Sequence, residues 1–402
     1  MDNIIRLNGQ WFYGYRSKCD QPVAVPGMIG EPDESAKETI WLKKHICMPE
    51  GDYTRASLLL KGARFRPKVY IDGAGVSERG EGGMTPTWHL LDSRDVRPGS
   101  EFDLQVVLIA HKHNPELDAS YISDPEANIA SCIWDDVEIW THNNVIIESI
   151  RPFTDHKRSI LSVEVRAQLA SLPIWPWPPR KPTPEIGAQC RLTATLYENN
   201  GGMLISRTVN TDQKITSVEL PLTLCKTWTP DSPTFYRLSV SMDDGTGPSE
   251  RTICYGYSPA GETILRSITY TWPFWLRGDA KSYIDAYDVD IFWEKVIRPL
   301  KEAGGNTIFF DKALPPERLL DACDKAGLFV GLEFPYFRSA HSIVPSQAAQ
   351  WRWFLDLAIS HPCVCFVEPW EGDDELLTEI RSEYSRFSSG RSAKLRAQEV
   401  FI

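Results

Sequence analysis

The chain has 402 residues, a formal net charge of −11 at pH 7, 42% hydrophobic and 24% charged residues. That length exceeds one ordinary core and fits about two to four domains. The negative balance argues against nucleic acid or an anionic membrane as partner and leaves neutral ligands open.

No apolar run approaches the roughly 18 residues of a membrane span. The opening Met1-Asp-Asn-Ile-Ile-Arg-Leu-Asn-Gly9 has no basic region followed by an apolar core, so no signal peptide is read there. Nine scattered cysteines, an odd number, fit reduced and buried thiols in a cytoplasmic compartment. Fourteen Trp residues are many. An indole covers a flat apolar face and offers one N–H donor, which suits sugar rings, although most indoles serve the core.

Residues 1–148 read as β. Trp41-Leu-Lys-Lys-His-Ile-Cys47 alternates, and Ser57-Leu-Leu-Leu-Lys61 and Pro67-Lys-Val-Tyr-Ile-Asp72 are strand-like. Asp72-Gly73 is a hairpin turn signal. Phe102-Asp-Leu-Gln-Val-Val-Leu108 and Val137-Glu-Ile-Trp140 complete the set. Short strands at a spacing of roughly 8–12 residues predict a sandwich.

Residues 149–258 are β again. Ser159-Ile-Leu-Ser-Val-Glu-Val165, Cys190-Arg-Leu-Thr-Ala-Thr-Leu-Tyr197, Ser217-Val-Glu-Leu220 and Phe235-Tyr-Arg-Leu-Ser-Val-Ser241 are the clearest strands. The length fits one immunoglobulin-like sandwich of roughly 100 residues. Between the first two, Trp175-Pro-Trp-Pro-Pro-Arg-Lys-Pro182 lacks ladder donors and reads as a stiff loop. Two roles stay open for it: presenting rings to a ligand, or packing its own indoles.

From 259 to 402 the pattern becomes βα. Phe292, Val296, Ile297, Leu300 and Ala303 recur at helical spacing, and Gly304-Gly305 stops that helix. Asn306-Thr-Ile-Phe-Phe310 is a buried-strand run. Pro315-Pro-Glu317 opens a helix whose apolar face is Leu319, Leu320, Cys323 and Ala326, and Gly327 closes it. Leu328-Phe-Val-Gly-Leu332 is the next strand, ending at Glu333. A third helix, 347–360, carries Trp351, Phe354, Leu355, Ala358 and Ile359. Val364-Cys-Phe-Val367 follows, then Glu368-Pro-Trp-Glu371-Gly-Asp-Asp374. Residues 376–402 read as one more helix plus a tail. No internal repeat is present.

Strands joined by helices in this way are parallel. They belong to a doubly wound sheet or an eight-fold barrel, and both place chemistry at the C-terminal strand ends. Asp311, Glu333, Glu368 and Glu371 are the carboxylates there, with Trp370 beside them. Each carboxylate has an ordinary reading as a solvated or hydrogen-bonded surface group. His361 with Cys363-x-Cys365, and His111-x-His113, have metal-like spacings. Strand alternation throws both thiols to one face without two more ligands, so no metal is expected. No motif calls for a cofactor.

The joints between these parts carry a family resemblance. Leu7-Asn-Gly-Gln-Trp11 with Val25-Pro-Gly27, the Asp-Gly turn within 64–83, and Cys132-Ile-Trp-Asp-Asp-Val-Glu-Ile139 resemble the sugar-binding domain of glycoside hydrolase family 2. That is the β-galactosidase, β-glucuronidase and β-mannosidase group. Trp228-Thr-Pro-Asp-Ser-Pro-Thr-Phe-Tyr236 and Tyr255-Gly-Tyr257 are similar to the end of its immunoglobulin-like domain. Leu276-Arg-Gly278, Leu300-Lys-Glu-Ala-Gly-Gly-Asn306 and Ser360-His-Pro362 resemble segments of its TIM barrel.

The resemblance implies a jelly-roll sandwich (1–148), an immunoglobulin-like sandwich (149–258) and a partial TIM barrel of about four βα units (259–402). It implies hydrolysis of a β-linked sugar with retention, which uses two carboxyls about 5–5.5 Å apart. The family's acid/base is the Glu of an Asn-Glu pair shortly past the His-Pro. Glu371 is the best candidate for that place, one position early and without the preceding Asn, and Glu368 is the second candidate. Asp311, Glu333 and Trp370 are then substrate contacts. The nucleophile comes from strand 7 in the family. Only 372–402 follows Glu371, whereas eight βα units need roughly 200 residues or more, so the sequence reads as the first portion of a longer enzyme.

The family also places an Arg three residues after the strand-2 Asn, where this chain has Phe309. The alternative is therefore a complete, non-catalytic carbohydrate-binding or scaffold protein with a degenerate barrel. A part-built barrel leaves an open sheet edge, so a homo-oligomer is expected.

Overall fold

Alternation of apolar and polar residues shapes the first part of the chain. Ile40–Cys47 buries Ile40, Leu42 and Ile46, and Glu101–Leu108 beside it buries Phe102, Leu104 and Val106. The computed structural model describes residues 4–15, 18–29, 38–64, 66–78, 86–91, 96–109, 131–169, 185–257, 264–271, 288–311, 315–333, 345–368 and 396–399.

Two antiparallel sheets enclose the first core. One has six strands in the order Gln21–Val25, Gly9–Gly14, Ile40–Cys47, Glu101–Leu108, Lys68–Ile71, Ala74–Glu78. The other has four: Ile4–Arg6, Val137–His142, Arg55–Leu60, Thr87–Leu91. Leu42 and Leu104 from the first meet Leu58 and Ile139 from the second. Asp72 and Gly73 form the expected tight turn with φ of 48° and 82°.

The second core lies between a three-stranded sheet (Val145–Asp155, Ile160–Leu169, Ile215–Pro221) and a four-stranded one (Met203–Gln213, Glu185–Glu198, Tyr236–Asp243, Pro248–Tyr255). Val163, Val165, Leu192, Leu196, Leu238 and Val240 fill it. Val145–Asp155, Met203–Gln213 and Pro248–Tyr255 are absent from the sequence reading. Met203–Gln213 shows why: nearly all of its side chains are exposed or half-exposed, so no apolar alternation marks it.

The third part is a five-stranded, wholly parallel sheet. Its order is Val364–Glu368, Phe329–Glu333, Thr307–Asp311, Ile264–Thr271, Arg396–Glu399. The helix expected within 376–402 falls outside the described residues; the last strand lies within the expected tail. Its four residues, Arg-Ala-Gln-Glu, carry no apolar run, and only the neighbouring strand's ladder identifies it.

Helices Glu317–Ala326 and Pro345–Ser360 lie between the strands, as their apolar spacing predicts. Leu319, Leu320, Cys323, Phe354, Leu355 and Ala358 pack with Ile308, Phe310 and Val330 of the sheet. Gly327 ends the first of these helices in the left-handed conformation, φ 65°.

The helix at 289–302 departs from its 3.6-residue pattern. It runs α over Val289–Phe292, π over Trp293–Ile297 and α over Arg298–Glu302. Pro299 supplies the reason: its ring would strike the carbonyl four residues back in a regular helix, and a π turn opens the ladder there.

Among the described residues no helix is long and apolar enough to cross a membrane.

Candidate functional site

Three of the candidate residues end three consecutive strands. Asp311 is the last residue of Thr307–Asp311, Glu333 of Phe329–Glu333 and Glu368 of Val364–Glu368. Glu333 and Glu368 are register partners across the ladder. Their Cα atoms are therefore one strand spacing apart, about 4.8 Å. Parallel strands bring their C-terminal ends to one edge of the sheet, and Asp311, Glu333 and Glu368 are the residues at that edge. Trp370 and Glu371 lie outside the described residues, as do His111, His113 and 175–182.

The strand leading to Glu368 is clamped at its start. His361 Nδ1 is 2.7 Å from Asp324 Oδ2, and the Cys363 N–H donates to Asp324 Oδ1 at 2.7 Å. Both partners are buried. Burial alone lowers the affinity of an imidazole for its proton. Here the carboxylates of Asp324, Asp321 and Glu317 outweigh it and raise the His361 pKa. The Cys363 thiol points to the carbonyl of Leu320, and Cys365 to that of Val330. Asp324, His361 and Cys363 thus gather within ligand distance, but the Asp324 carboxylate is engaged by the protein itself. The cluster works as a structural tie.

The β part grips the same helix at its other end. Lys61, almost fully buried, places Nζ 2.7 Å from Glu317 Oε2 and 3.1 Å from Glu138 Oε1. Arg318 pairs with Asp136, which also accepts from Asn8 Nδ2 at 2.7 Å. Burial opposes the charge on Lys61, yet Glu317 and Glu138 hold its pKa above the ordinary value. Lys61 in turn brings the Glu317 carboxyl down to about 2 against its own burial. Asp135, fully enclosed beside Asp136, is pushed up to about 7.

This joint explains the segment 132–139. Ile133, Val137 and Ile139 belong to the first core, whereas Cys132 and Trp134 belong to the core of the βα part. Trp228 does the same from the second sandwich: it is fully buried in the βα core and donates its indole N–H to the Asp324 carbonyl at 3.2 Å. Arg151 ties the second sandwich to Asp356 on helix Pro345–Ser360. The roles of Lys61, Asp324 and Arg151 escape sequence reasoning, because their partners lie far along the chain and no spacing announces them.

The face of the sheet opposite to Ile308 and Phe310 carries an aromatic group. Phe309 lies across Gly331 on the adjacent strand; a Cβ there would come within 2.2 Å of the ring.

The chain is similar in fold to solved β-glucuronidases and a glycosyl hydrolase family 2 member. A β-glucuronidase of Bacteroides uniformis matches with a TM-score of 0.65 and 17% identity, over 96% of this chain and 50% of its own. The β-D-glucuronidase of Dictyoglomus thermophilum matches with a TM-score of 0.64 and 15% identity, over 98% and 72%. A glycosyl hydrolase family 2 member from Bacteroides cellulosilyticus matches with a TM-score of 0.62 and 15% identity, over 99% and 57%.

By fold, this chain resembles a family 2 glycoside hydrolase.

The likeness runs through nearly all of the chain, while the chain spans half the length of the Bacteroides uniformis enzyme. No protein-family model matches the sequence, and no curated protein does.

Proposed function

We propose that this chain is the sugar-handling part of a glycosidase that hydrolyses a β-linked sugar with retention. The carrying observation is the alignment of Asp311, Glu333 and Glu368 at three consecutive strand ends, in a chain with the fold of β-glucuronidases. In this reading Glu371 is the acid/base, with Glu368 as second candidate. Asp311, Glu333 and Trp370 contact the sugar. The nucleophile is a further carboxylate that none of these residues supplies. Residues 1–148 act as a jelly-roll module, 149–258 as an immunoglobulin-like spacer and 259–402 as part of a TIM barrel in a cytoplasmic protein. Self-association through the outer edge of the parallel sheet fits the same architecture.

One observation favours a second reading. Phe309 occupies the strand-2 position where the family carries an Arg, and its ring covers Gly331. An apolar ring cannot orient a carboxylate nucleophile. The alternative is a carbohydrate-binding or scaffold protein without turnover.

The purified protein should be offered a panel of nitrophenyl β-glycosides, the β-glucuronide included, and a glycan array. Nitrophenol release that disappears in Glu371→Gln or Glu368→Gln supports hydrolysis. Glycan binding without release supports the second reading. Neither release nor binding defeats both.

A further inference from the structure

Strands Ile40–Cys47 and Glu101–Leu108 run antiparallel in the middle of the six-stranded sheet. Their register sets Cys47 opposite Glu101 and His45 opposite Asp103. The pleat sends these four side chains to one face. Ile46 and Phe102, between them, are buried, so this face is the one turned from the core, and His45, Cys47 and Glu101 are exposed on it.

The side chains converge. Cys47 Sγ is 3.6 Å from Glu101 Oε1, and His45 Nε2 is 3.7 Å from Glu101 Oε2. One ligand atom from each of the three lies within 4.8 Å of the others. In a tetrahedral zinc site the bonds are about 2.0–2.3 Å, which puts neighbouring ligand atoms roughly 3.3–3.7 Å apart. The two separations run to the two different oxygens of Glu101, so its carboxylate lies between the thiol and the imidazole and can serve both, and small side-chain rotations bring the three ligand atoms to that spacing.

We propose that His45, Cys47 and Glu101 form a surface site for one zinc-like divalent cation. The donor set decides the class of metal. Thiolate, imidazole and carboxylate together suit zinc, whereas calcium and magnesium take oxygen ligands. The exposure of all three leaves the fourth position to water.

Asp103 completes the arrangement. Its Oδ1 is 3.1 Å from His45 Nδ1, and its Oδ2 is 2.6 Å from Lys43 Nζ. Ligating histidines are commonly held this way, through the nitrogen that does not face the metal. The ion pair with Lys43 holds that carboxylate in place. Binding must expel the Cys47 proton, so affinity rises with pH. Sequence spacing hides the site: His45-x-Cys47 and Glu101-x-Asp103 meet only through the strand register.

The test is a titration of the whole protein with Co²⁺ at mildly alkaline pH, under a non-thiol reductant. One equivalent should bind with a near-ultraviolet thiolate-to-metal charge-transfer band that Zn²⁺ abolishes by displacement. Cys47→Ser should remove the band. Asp103→Asn should weaken binding about 10–100-fold. Cys254→Ser, at the other exposed thiol, should change nothing. The altered side chains lie on the outer face, and circular dichroism checks that each variant folds. Absence of the band in the unaltered protein, or its persistence in Cys47→Ser, overturns the site.

Discussion

His361 and Asp324 form a buried pair, Nδ1 to Oδ2 at 2.7 Å, that joins the end of one helix to the start of the next strand. Asp324 sits near the C-terminus of Glu317–Ala326, and His361 just before Val364–Glu368. Its second oxygen takes the Cys363 N–H, so one carboxylate fixes both the ring and the backbone that lead to Glu368.

Asp324→Ala should therefore cost about 3–5 kcal/mol, the usual penalty for stripping one member of a buried pair. Chemical denaturation followed by tryptophan fluorescence measures it. A loss below about 1 kcal/mol, the range of exposed pairs, would show that the tie contributes little.

The same pair makes stability depend on pH. The His361 pKa in the folded protein is raised above its ordinary 6.5 by Asp324, Asp321 and Glu317, which outweigh burial. A raised folded value favours folding below the unfolded pKa, and the contribution fades as pH climbs through the folded one. The melting temperature should fall more steeply on the alkaline side of pH 6.5 in the unaltered protein than in Asp324→Asn. Parallel curves for the two would remove His361 from the account.

Much of the architecture is legible in the sequence because its signals are local. Gly327 and Pro316 bracket the helix Glu317–Ala326, and its apolar face follows from spacing alone. The joint motifs are legible for a different reason. Trp134 and Trp228 each leave a β part to complete the βα core, so their surroundings tolerate few alternatives. Asp311, Glu333 and Glu368 are found because a strand end is visible as the end of an apolar run. What stays hidden depends on register or on distant partners. Met203–Gln213 and Arg396–Glu399 are strands only by virtue of their neighbours. The ladder that sets Cys47 beside Glu101 cannot be read from either segment by itself.

Lys61 and Glu317 offer a test of how the first sandwich holds the βα part. Lys61→Ala leaves Glu138 and Glu317 facing each other without the ammonium, and should cost about 3 kcal/mol, since Glu317 is partly exposed. Lys61→Met with Glu317→Gln should cost less than the two single changes added together. The pH dependence has the opposite sign to that of His361. Glu317 is depressed to about 2 from 4.5, so its contribution is present above 4.5 and is lost as pH falls toward 2. Acid titration of Glu317→Gln should lack that step. Strict additivity of the two substitutions would mean that the charges act separately.

Gly331 and Phe309 bear on whether the sheet face away from the helices can work as a site. The ring fills the space that any side chain at 331 would need, since a Cβ placed there would lie 2.2 Å from a ring carbon. Gly331→Ala should then destabilise by about 1–3 kcal/mol through overpacking. The same substitution made in Phe309→Ala should be nearly free, because the smaller residue vacates the contact. A double-mutant cycle on denaturation midpoints reads the coupling directly. If Gly331→Ala costs the same in both backgrounds, Phe309 does not press on that strand, and the reading of this face as given over to packing rather than chemistry loses its main physical support.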